Sequence, residues 1–147
     1  MSTTTVSSTV QTNKALVVRF LERMNNADLD AAADLLGGEP YRSHFAGLPP
    51  VEGVESWRQM AGGFYAAFPD LHVSLEGKLI GEDEYVTTRF TWSGTHHGTF
   101  MGVPATERRV TVVGTNMFRI ADNRIVEQWE TQDVAGLMQQ LVASTAP

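Results

Sequence analysis

The first half of the chain carries its apolar residues at helical spacing. In the first predicted helix, positions i, i+3, i+4 and i+7 are Val17, Phe20, Leu21 and Met24. Asp28 is a preferred N-cap, and the apolar spacing then returns until Gly37, which predicts a second helix that pairs with the first. A third apolar face, over residues 57–68, predicts a helix that ends at Pro69.

From residue 71 onward the pattern alternates between apolar and polar positions, as in half-buried strands. The predicted strands are residues 71–76, 85–92, 109–120 and 125–130. A short extended piece is predicted at 41–44, inside the loop 39–52, and Asp133 is a candidate cap for a terminal helix. Helices followed by hairpin-linked strands indicate an α+β fold with an antiparallel sheet of about four strands. If strongly curved, such a sheet can enclose the helices in a cone with a pocket at its mouth.

The chain has 147 residues, of which 42% are hydrophobic and 19% charged, and this favours one globular domain. We expect this domain to span residues 12–142. The Ser- and Thr-rich residues 1–11 are expected to form a disordered tail, and residues 143–147 a second tail.

Charge and composition argue against several classes of function. The net charge of -6 disfavours non-specific nucleic-acid binding, and the absence of cysteine rules out disulfides, thiolate metal sites and a cysteine nucleophile. No apolar run approaches the ~20 residues needed to cross a bilayer. The first residues lack the basic and apolar regions of a signal peptide, so a cytoplasmic location is expected, with no membrane partner.

Candidate chemistry lies on the last predicted hairpin, residues 114–133. Strand alternation predicts that one face carries Asn116, Phe118, Ile120, Val126, Gln128 and Glu130. If that face is the inner one, a carboxylate and two amides share an apolar space. Burial among apolar side chains would raise the pKa of a glutamate, so this face is a candidate acid/base pocket.

Several sequence runs resemble a known family when they are taken in order. The runs are residues 67–73 (AFPDLHV), 89–96 (RFTWSGTH), 100–106 (FMGVPAT) and 118–130 (FRIADNRIVEQWE). Their order and spacing resemble those of the SnoaL-like polyketide cyclases, and the opening helix, residues 13–25, is similar to theirs as well. The resemblance covers roughly residues 13–142, nearly the whole folded chain.

The resemblance implies a cone-shaped α+β fold of the nuclear transport factor 2-like type. Characterised members close a ring by intramolecular aldol condensation on an aromatic polyketide ester, without a metal or a cofactor. Related members open epoxides or take part in hydroxylation-associated steps of antibiotic biosynthesis. The family also implies a self-associating sheet face, so a homo-oligomer (dimer or tetramer) is expected.

The family's catalytic positions fall on the candidate hairpin. Its acid/base carboxylate falls on Glu130, where those cyclases have Asp, and its histidine falls on Asn116. Gln128 stands where many members carry His. An amide can donate a hydrogen bond to an enolate oxygen but cannot exchange a proton near neutral pH. The family's pocket-wall positions fall near Met24 and Met60.

Other residues are candidates for substrate binding. Phe64, Met101 and Phe118 are apolar residues suited to shaping a cavity for a hydrophobic small molecule. His44 lies in a loop, where it is either an inward-pointing acid/base partner or a surface residue. Of the adjacent pair 96–97, both histidines, at most one can face a pocket, and the two make a poor metal signature.

Three functions remain open from the sequence. The first is a cofactor-free cyclase of the ester cyclase type, with Glu130 as acid/base and with Asn116 and Gln128 polarising or orienting a carbonyl group. The second is an epoxide hydrolase-like enzyme, which usually needs a second acid. The third is a non-catalytic module that uses the same cone for ligand binding or dimerisation.

Overall fold

The computed structural model describes residues 8–142, which form four helices and one six-stranded sheet. The helices are α1 (Ser8–Asn25), α2 (Leu29–Ala33), α3 (Val54–Ala67) and α4 (Val134–Val142). The strands are β1 (Arg42–Phe45), β2 (Val51–Glu52), β3 (His72–Glu82), β4 (Tyr85–Thr95), β5 (Arg109–Ala121) and β6 (Arg124–Gln132). The α+β class predicted from the sequence is confirmed.

Helix α1 buries Val17, Phe20 and Leu21 of the predicted apolar face, and it buries Leu16 as well. It begins at Ser8, before the predicted domain start at residue 12, so the expectation of a tail over residues 1–11 is wrong for residues 8–11. The remaining parts of both predicted tails, residues 1–7 and 143–147, lie outside the described residues. Asp28 caps α2 as expected, accepting a hydrogen bond from the backbone N–H of Ala31 at 3.0 Å.

The sheet has the strand order β2-β1-β6-β5-β4-β3, and it curves around the helices without closing. Strands β3 to β6 form the predicted antiparallel meander. The sequence pattern does not predict β2, and it gives no partner for the short extended piece at 41–44. That piece is β1, which pairs in parallel with β6 and brings Phe45 beside Glu130. Glu130 therefore lies within the sheet, between two neighbouring strands, rather than at an edge.

A β-bulge in β6 corrects the predicted inner face. Arg119 pairs with Glu127 and Ile120 with Ile125, so Val126 is one extra residue on β6. The extra residue breaks the alternation, and Ile125 is fully buried while Val126 is only partly buried. The prediction that Val126 shares the inner face with Gln128 is therefore wrong.

The core divides into two apolar clusters. One lies between α1, α2, α3 and the sheet and includes Phe20, Trp57 and Phe118. The other lies under α4 and the far halves of β4 and β5, with Phe68 and Trp92 at its centre. The two clusters hold the helices against the concave side of the sheet, where the cavity described below is found.

Thr88 offers a test of packing on this concave side. Its side chain is buried on β4 opposite Asn116, and its hydroxyl has no hydrogen-bond partner in the described part of the chain. We expect Thr88→Val to raise the free energy of unfolding by about 1 kcal/mol, because valine keeps the shape and removes an unpaired buried hydroxyl. Urea denaturation measures this, with Thr91→Val on the outer face as a control. A loss of stability in Thr88→Val would contradict the expectation.

Candidate active site

A cavity lies between helices α1 and α3 and the concave face of the sheet. Most of its wall is aromatic or aliphatic; the aromatic lining residues are Phe20, Phe45, Trp57, Phe64, Tyr65, Phe90 and Trp92. Apart from the polar groups of the tyrosine and the tryptophans, the polar side chains that line the cavity are Ser43, Asn116, Gln128, Glu130 and Gln132, all from the sheet. The cavity is therefore an apolar chamber with its polar groups gathered on one wall.

The sheet register places the polar groups of this wall. Gln128, Glu130 and Gln132 occupy alternate positions of β6 and share its inner face. Asn116 of β5 lies directly opposite Glu130 in the antiparallel pair. Ser43 enters from the parallel strand β1, opposite Gln128. Three strands thus contribute to a single polar cluster around one carboxylate.

Both carboxylate oxygens of Glu130 accept hydrogen bonds from neighbouring amides. The Nε2 atom of Gln128 donates to Oε1 at 3.3 Å, and the Nε2 atom of Gln132 donates to Oε2. The Gln128 amide also donates to Oδ1 of Asn116 at 3.3 Å and accepts from the Tyr41 hydroxyl at 3.1 Å. The carboxylate is consequently fixed from both sides by neutral donors.

Burial governs the protonation of Glu130. Desolvation raises the pKa of Glu130 from 4.5 to about 7, although the hydrogen bonds from Gln132 and Gln128 act to lower it. Among the described residues that line the cavity there is no Lys, Arg or His to hold the carboxylate ionised. Near neutral pH, Glu130 therefore populates both its acid and its base form, as a proton-transfer residue requires.

The tyrosines near the cavity stay protonated. Burial raises the pKa of Tyr65 to about 12, and its hydroxyl donates to the backbone carbonyl of Met24. Burial also raises the pKa of Tyr41, and the nearby charge of Glu130 raises it further. Glu130 is therefore the cavity residue whose charge changes near neutral pH.

Asn116 is oriented by its neighbour. Its Oδ1 accepts from Gln128, and within the described part of the chain its Nδ2 makes no hydrogen bond. A flip of this amide would set two N–H groups against each other, so the network favours the orientation in which Nδ2 is free to donate. Asn116 can therefore offer a hydrogen bond to an oxygen atom bound in the cavity.

The structure brings together some of the predicted binding residues and separates others. Met24, Met60 and Phe64 line the cavity. Phe118 does not line it: the ring is fully buried in the core beneath, 6.0 Å from the ring centroid of Phe20. Met101 is 59% exposed in the loop between β4 and β5, outside the cavity. The substrate-binding roles predicted for Phe118 and Met101 therefore lack direct support from their positions.

His44 lies on the opposite side of the sheet from the cavity. Strand alternation on β1 buries Ser43 and Phe45 and turns His44 to the outer face. There its Nε2 lies 2.7 Å from Oε2 of Glu127, and its ring stacks on Trp129 with centroids 5.3 Å apart. The alternative in which His44 is an inward-pointing acid/base partner is thus wrong, and the surface interpretation holds.

The adjacent histidines also lie outside the cavity wall. His96 is fully buried, with Nδ1 3.0 Å from the Thr106 hydroxyl, whereas His97 is exposed and lies 2.8 Å from Oε1 of Glu107. Within residues 8–142, no group of three or more His, Asp and Glu side chains is arranged to hold a metal ion. In the same residues, no helix is long and apolar enough to cross a membrane.

Sequence reasoning missed three residues of the network: Tyr41, Trp92 and Gln132. Gln132 had a usable signal, because it continues the alternation of Gln128 and Glu130, but the predicted strand ended at Glu130. Tyr41 had none, since it meets Gln128 across 87 positions through the parallel pairing of β1 with β6. In the sequence, nothing distinguishes Trp92 from an ordinary core residue. In the structure, its indole N–H donates a hydrogen bond to Gln132.

Solved structures similar to this chain share its whole architecture. A protein assigned as a SnoaL-like polyketide cyclase from Jannaschia sp. CCS1 superposes with a TM-score of 0.88 at 24% identity, covering 97% of this chain and 99% of that one. IdmH, assigned as a polyketide cyclase from Streptomyces antibioticus, gives a TM-score of 0.75 at 29% identity over 88% and 97%. AclR, assigned as a hydroxylase from Streptomyces galilaeus, gives 0.80 at 26% over 90% and 96%.

The sequence comparisons point to the same family. Among functionally curated proteins, no sequence matches this chain significantly. The sequence profile of the SnoaL-like polyketide cyclases matches residues 15–141, which include every strand and every residue that lines the cavity. The chain belongs to the SnoaL-like polyketide cyclase family.

Proposed function

We propose that the protein is a cofactor-free cyclase that closes a ring by an intramolecular aldol-type reaction, with Glu130 as its acid/base. The observation that carries this proposal is the environment of Glu130. Glu130 is the one carboxyl group that residues 8–142 place on the wall of this apolar cavity, its pKa is raised to about 7, and neutral amides hold both of its oxygens. Such a group can accept and return a proton at neutral pH.

The reaction uses Glu130 twice. The carboxylate removes a proton from a carbon next to a carbonyl group, which gives an enolate and a protonated Glu130. The enolate carbon attacks a second carbonyl carbon of the same molecule, and a new carbon–carbon bond closes the ring. The alkoxide formed there takes up a proton from Glu130, so the carboxylate is regenerated and no atom is lost.

Asn116 is the donor best placed to stabilise the enolate. Its free Nδ2 lies on the cavity wall beside Glu130, and a fixed neutral donor stabilises charge that develops on a carbonyl oxygen. Both N–H groups of Gln128 are already used, one toward Asn116 and one toward Glu130. Gln128 is therefore proposed to position the other two side chains rather than to contact the substrate.

The lining residues favour a hydrophobic, uncharged carbonyl compound as substrate. The aromatic walls suit flat rings, and Met24 and Met60 can adjust to their shape. A polyketide ester fits this description, and the assignment of IdmH as a polyketide cyclase supports the same class. Epoxide opening usually needs a second acid; Glu130 is the one carboxyl group among the described lining residues, which favours ring closure.

The pH dependence of turnover tests this assignment. With a methyl ester of an enolisable aromatic polyketide as substrate, we expect kcat/KM to rise about tenfold per pH unit below about pH 7 and to level off above it. The rise reflects ionisation of Glu130, because the ionised form is the base. Initial rates measured by absorbance across this range give the profile. A rate independent of pH from about 5 to about 9 would contradict a role for this group.

A further inference from the structure

The indole of Trp92 determines which way the amide of Gln132 faces. The Nε1 atom of Trp92 donates a hydrogen bond to Oε1 of Gln132 at 3.0 Å. An indole N–H can only donate, so it selects the amide orientation in which the oxygen faces Trp92. The amide nitrogen is left on the side of Glu130, where it donates to Oε2. A donor-only group on β4 thus dictates that a donor faces the carboxylate on β6.

The sheet leaves room for this contact across an intervening strand. Trp92 lies on β4 and Gln132 on β6, with β5 between them. At the position opposite Gln132, β5 carries Gly114, and a Cβ atom there would come within 2.6 Å of the Phe90 ring and of the Thr131 carbonyl oxygen. The glycine therefore keeps side-chain bulk off β5 where the indole and the amide meet.

The indole itself is held by aromatic packing. Its ring lies edge-on to Phe68 at 5.0 Å and to Phe64 at 6.5 Å between centroids. Trp92 is only 2% exposed, so the ring cannot rotate without disturbing this cluster. The orientation of the Gln132 amide therefore rests on the apolar wall of the cavity.

We propose that Gln132 is a positioning residue for Glu130, held in its donating orientation by the indole N–H of Trp92. The proposal rests on the proposed function in that Glu130 is the group whose protonation matters for turnover. Gln132 touches the acid/base rather than the substrate, and it acts by favouring the ionised form of the carboxyl and by fixing its rotamer. The Gln132 amide and the amide of Gln128 together satisfy both carboxylate oxygens.

Few other groups can affect the titration of Glu130. Among the described residues, the other titratable groups at the cavity are the Tyr41 hydroxyl, from the segment before β1, whose pKa the charge of Glu130 raises, and the Tyr65 hydroxyl of α3, which donates to the Met24 carbonyl. Both stay protonated well above neutral pH. No other carboxylate and no cation lines the cavity in residues 8–142. A change in the Gln132 amide should therefore be visible in the titration of Glu130.

Two substitutions are expected to move this titration in the same direction. Gln132→Met keeps the length of the side chain and removes the donor, so the midpoint of Glu130 should rise by about one pH unit. Trp92→Phe removes the N–H that fixes the amide. A flipped Gln132 then offers its oxygen, which accepts a hydrogen bond from the protonated carboxyl. In this variant too, the titration midpoint of Glu130 should rise above the parent value by a similar amount.

The experiment follows the carboxyl carbon of Glu130 by 13C NMR in the free, full-length protein as pH is varied. It compares the parent protein with Gln132→Met, with Trp92→Phe and with the double variant. Because both substitutions act through one amide, the double variant should titrate like Gln132→Met alone. Gln139→Met, an exposed site on α4, is the matched control and should leave the midpoint unchanged.

The outcomes separate this proposal from the proposed function. Unchanged midpoints in Gln132→Met would overturn the positioning role, whatever the activity. A double variant whose midpoint shift equals the sum of the two single-variant shifts would overturn the role of Trp92 in orienting Gln132. Shifted midpoints without a matching shift in the pH profile of kcat/KM would uphold the positioning of Glu130 and count against Glu130 as the catalytic base. If Trp92→Phe fails to fold, Gln132→Met still decides the main point.

Discussion

Glu130→Gln is expected to lower kcat by about 10²–10⁴-fold, the contribution typical of a positioned general acid/base. Glutamine has nearly the same size and shape, but its amide cannot accept a proton from carbon at neutral pH. The side chain sits in the cavity wall between Phe45 of β1 and Asn116 of β5, so the substitution leaves the walls intact. Steady-state rates with the aromatic polyketide ester, together with its dissociation constant, measure the effect.

Glu127→Gln is the matched control for this loss. Glu127 lies on the same strand but faces the outer side, where it is paired with His44 and Arg119. Its substitution should leave kcat within about twofold of the parent value, since it does not line the cavity. Retained turnover in Glu130→Gln would remove Glu130 from the mechanism. Unchanged ligand affinity with no turnover in either the parent or the variant would instead favour a binding module.

Glu130→Gln is also expected to stabilise the folded protein above neutral pH. The folded state binds a proton at Glu130 more tightly than the unfolded chain does, because burial raises the pKa from 4.5 to about 7. This contribution to stability is fully present below about pH 4.5 and is lost as pH rises to about 7. The lost stability amounts to about 3 kcal/mol, at 1.36 kcal/mol per unit of pKa.

The variant should recover most of that stability. Glutamine carries no charge to desolvate. Its NH₂ group faces one of the two amide donors, however, and this mismatched contact lowers the stability by about 1 kcal/mol. At pH 8, Glu130→Gln is therefore expected to raise the free energy of unfolding by about 2 kcal/mol, whereas near pH 4 only the mismatched contact remains and the variant should be less stable by about 1 kcal/mol. Urea denaturation at the two pH values measures the difference. A destabilised variant at pH 8 would show that Glu130 is not a strained, buried carboxylate.

Glu127 should behave in the opposite way. Burial alone would raise its pKa, but hydrogen bonds from His44 and Arg119 outweigh burial and lower the pKa of this carboxyl. A depressed pKa adds stability above the unfolded value, and this is lost as pH falls through the folded value. Glu127→Gln should consequently destabilise the protein at pH 8. Opposite signs for two glutamates on one strand would separate a functional carboxylate from a structural one.

In the proposed mechanism, the burial that lowers stability above neutral pH is also what makes Glu130 a stronger base. A carboxylate with the ordinary pKa is almost fully ionised at neutral pH but is a weak base. The apolar wall raises its basicity, and the amides of Gln128 and Gln132 prevent the pKa from rising so far that the base form disappears. Stability and reactivity are therefore opposed at this residue.

Local patterns determined most of the elements. Apolar spacing in the first half predicted the helical faces, including that of Val17, Phe20 and Leu21, and alternation in the second half predicted the four-strand meander. Alternation also placed Asn116, Gln128 and Glu130 on one inner face, where the structure has them. It failed at Val126, because a bulge adds one residue and no local pattern records the added residue.

The sequence by itself determined the α+β class, the family resemblance and the candidate carboxylate, because these depend on residue types at short, regular spacings. Only the tertiary structure decided what surrounds that carboxylate. The parallel pairing of β1 with β6 brings Tyr41 to Gln128 and turns His44 outward, and Trp92 meets Gln132 across β5. Such contacts join residues distant in sequence, and the pKa of Glu130 depends on the sum of those neighbours and on the water they exclude.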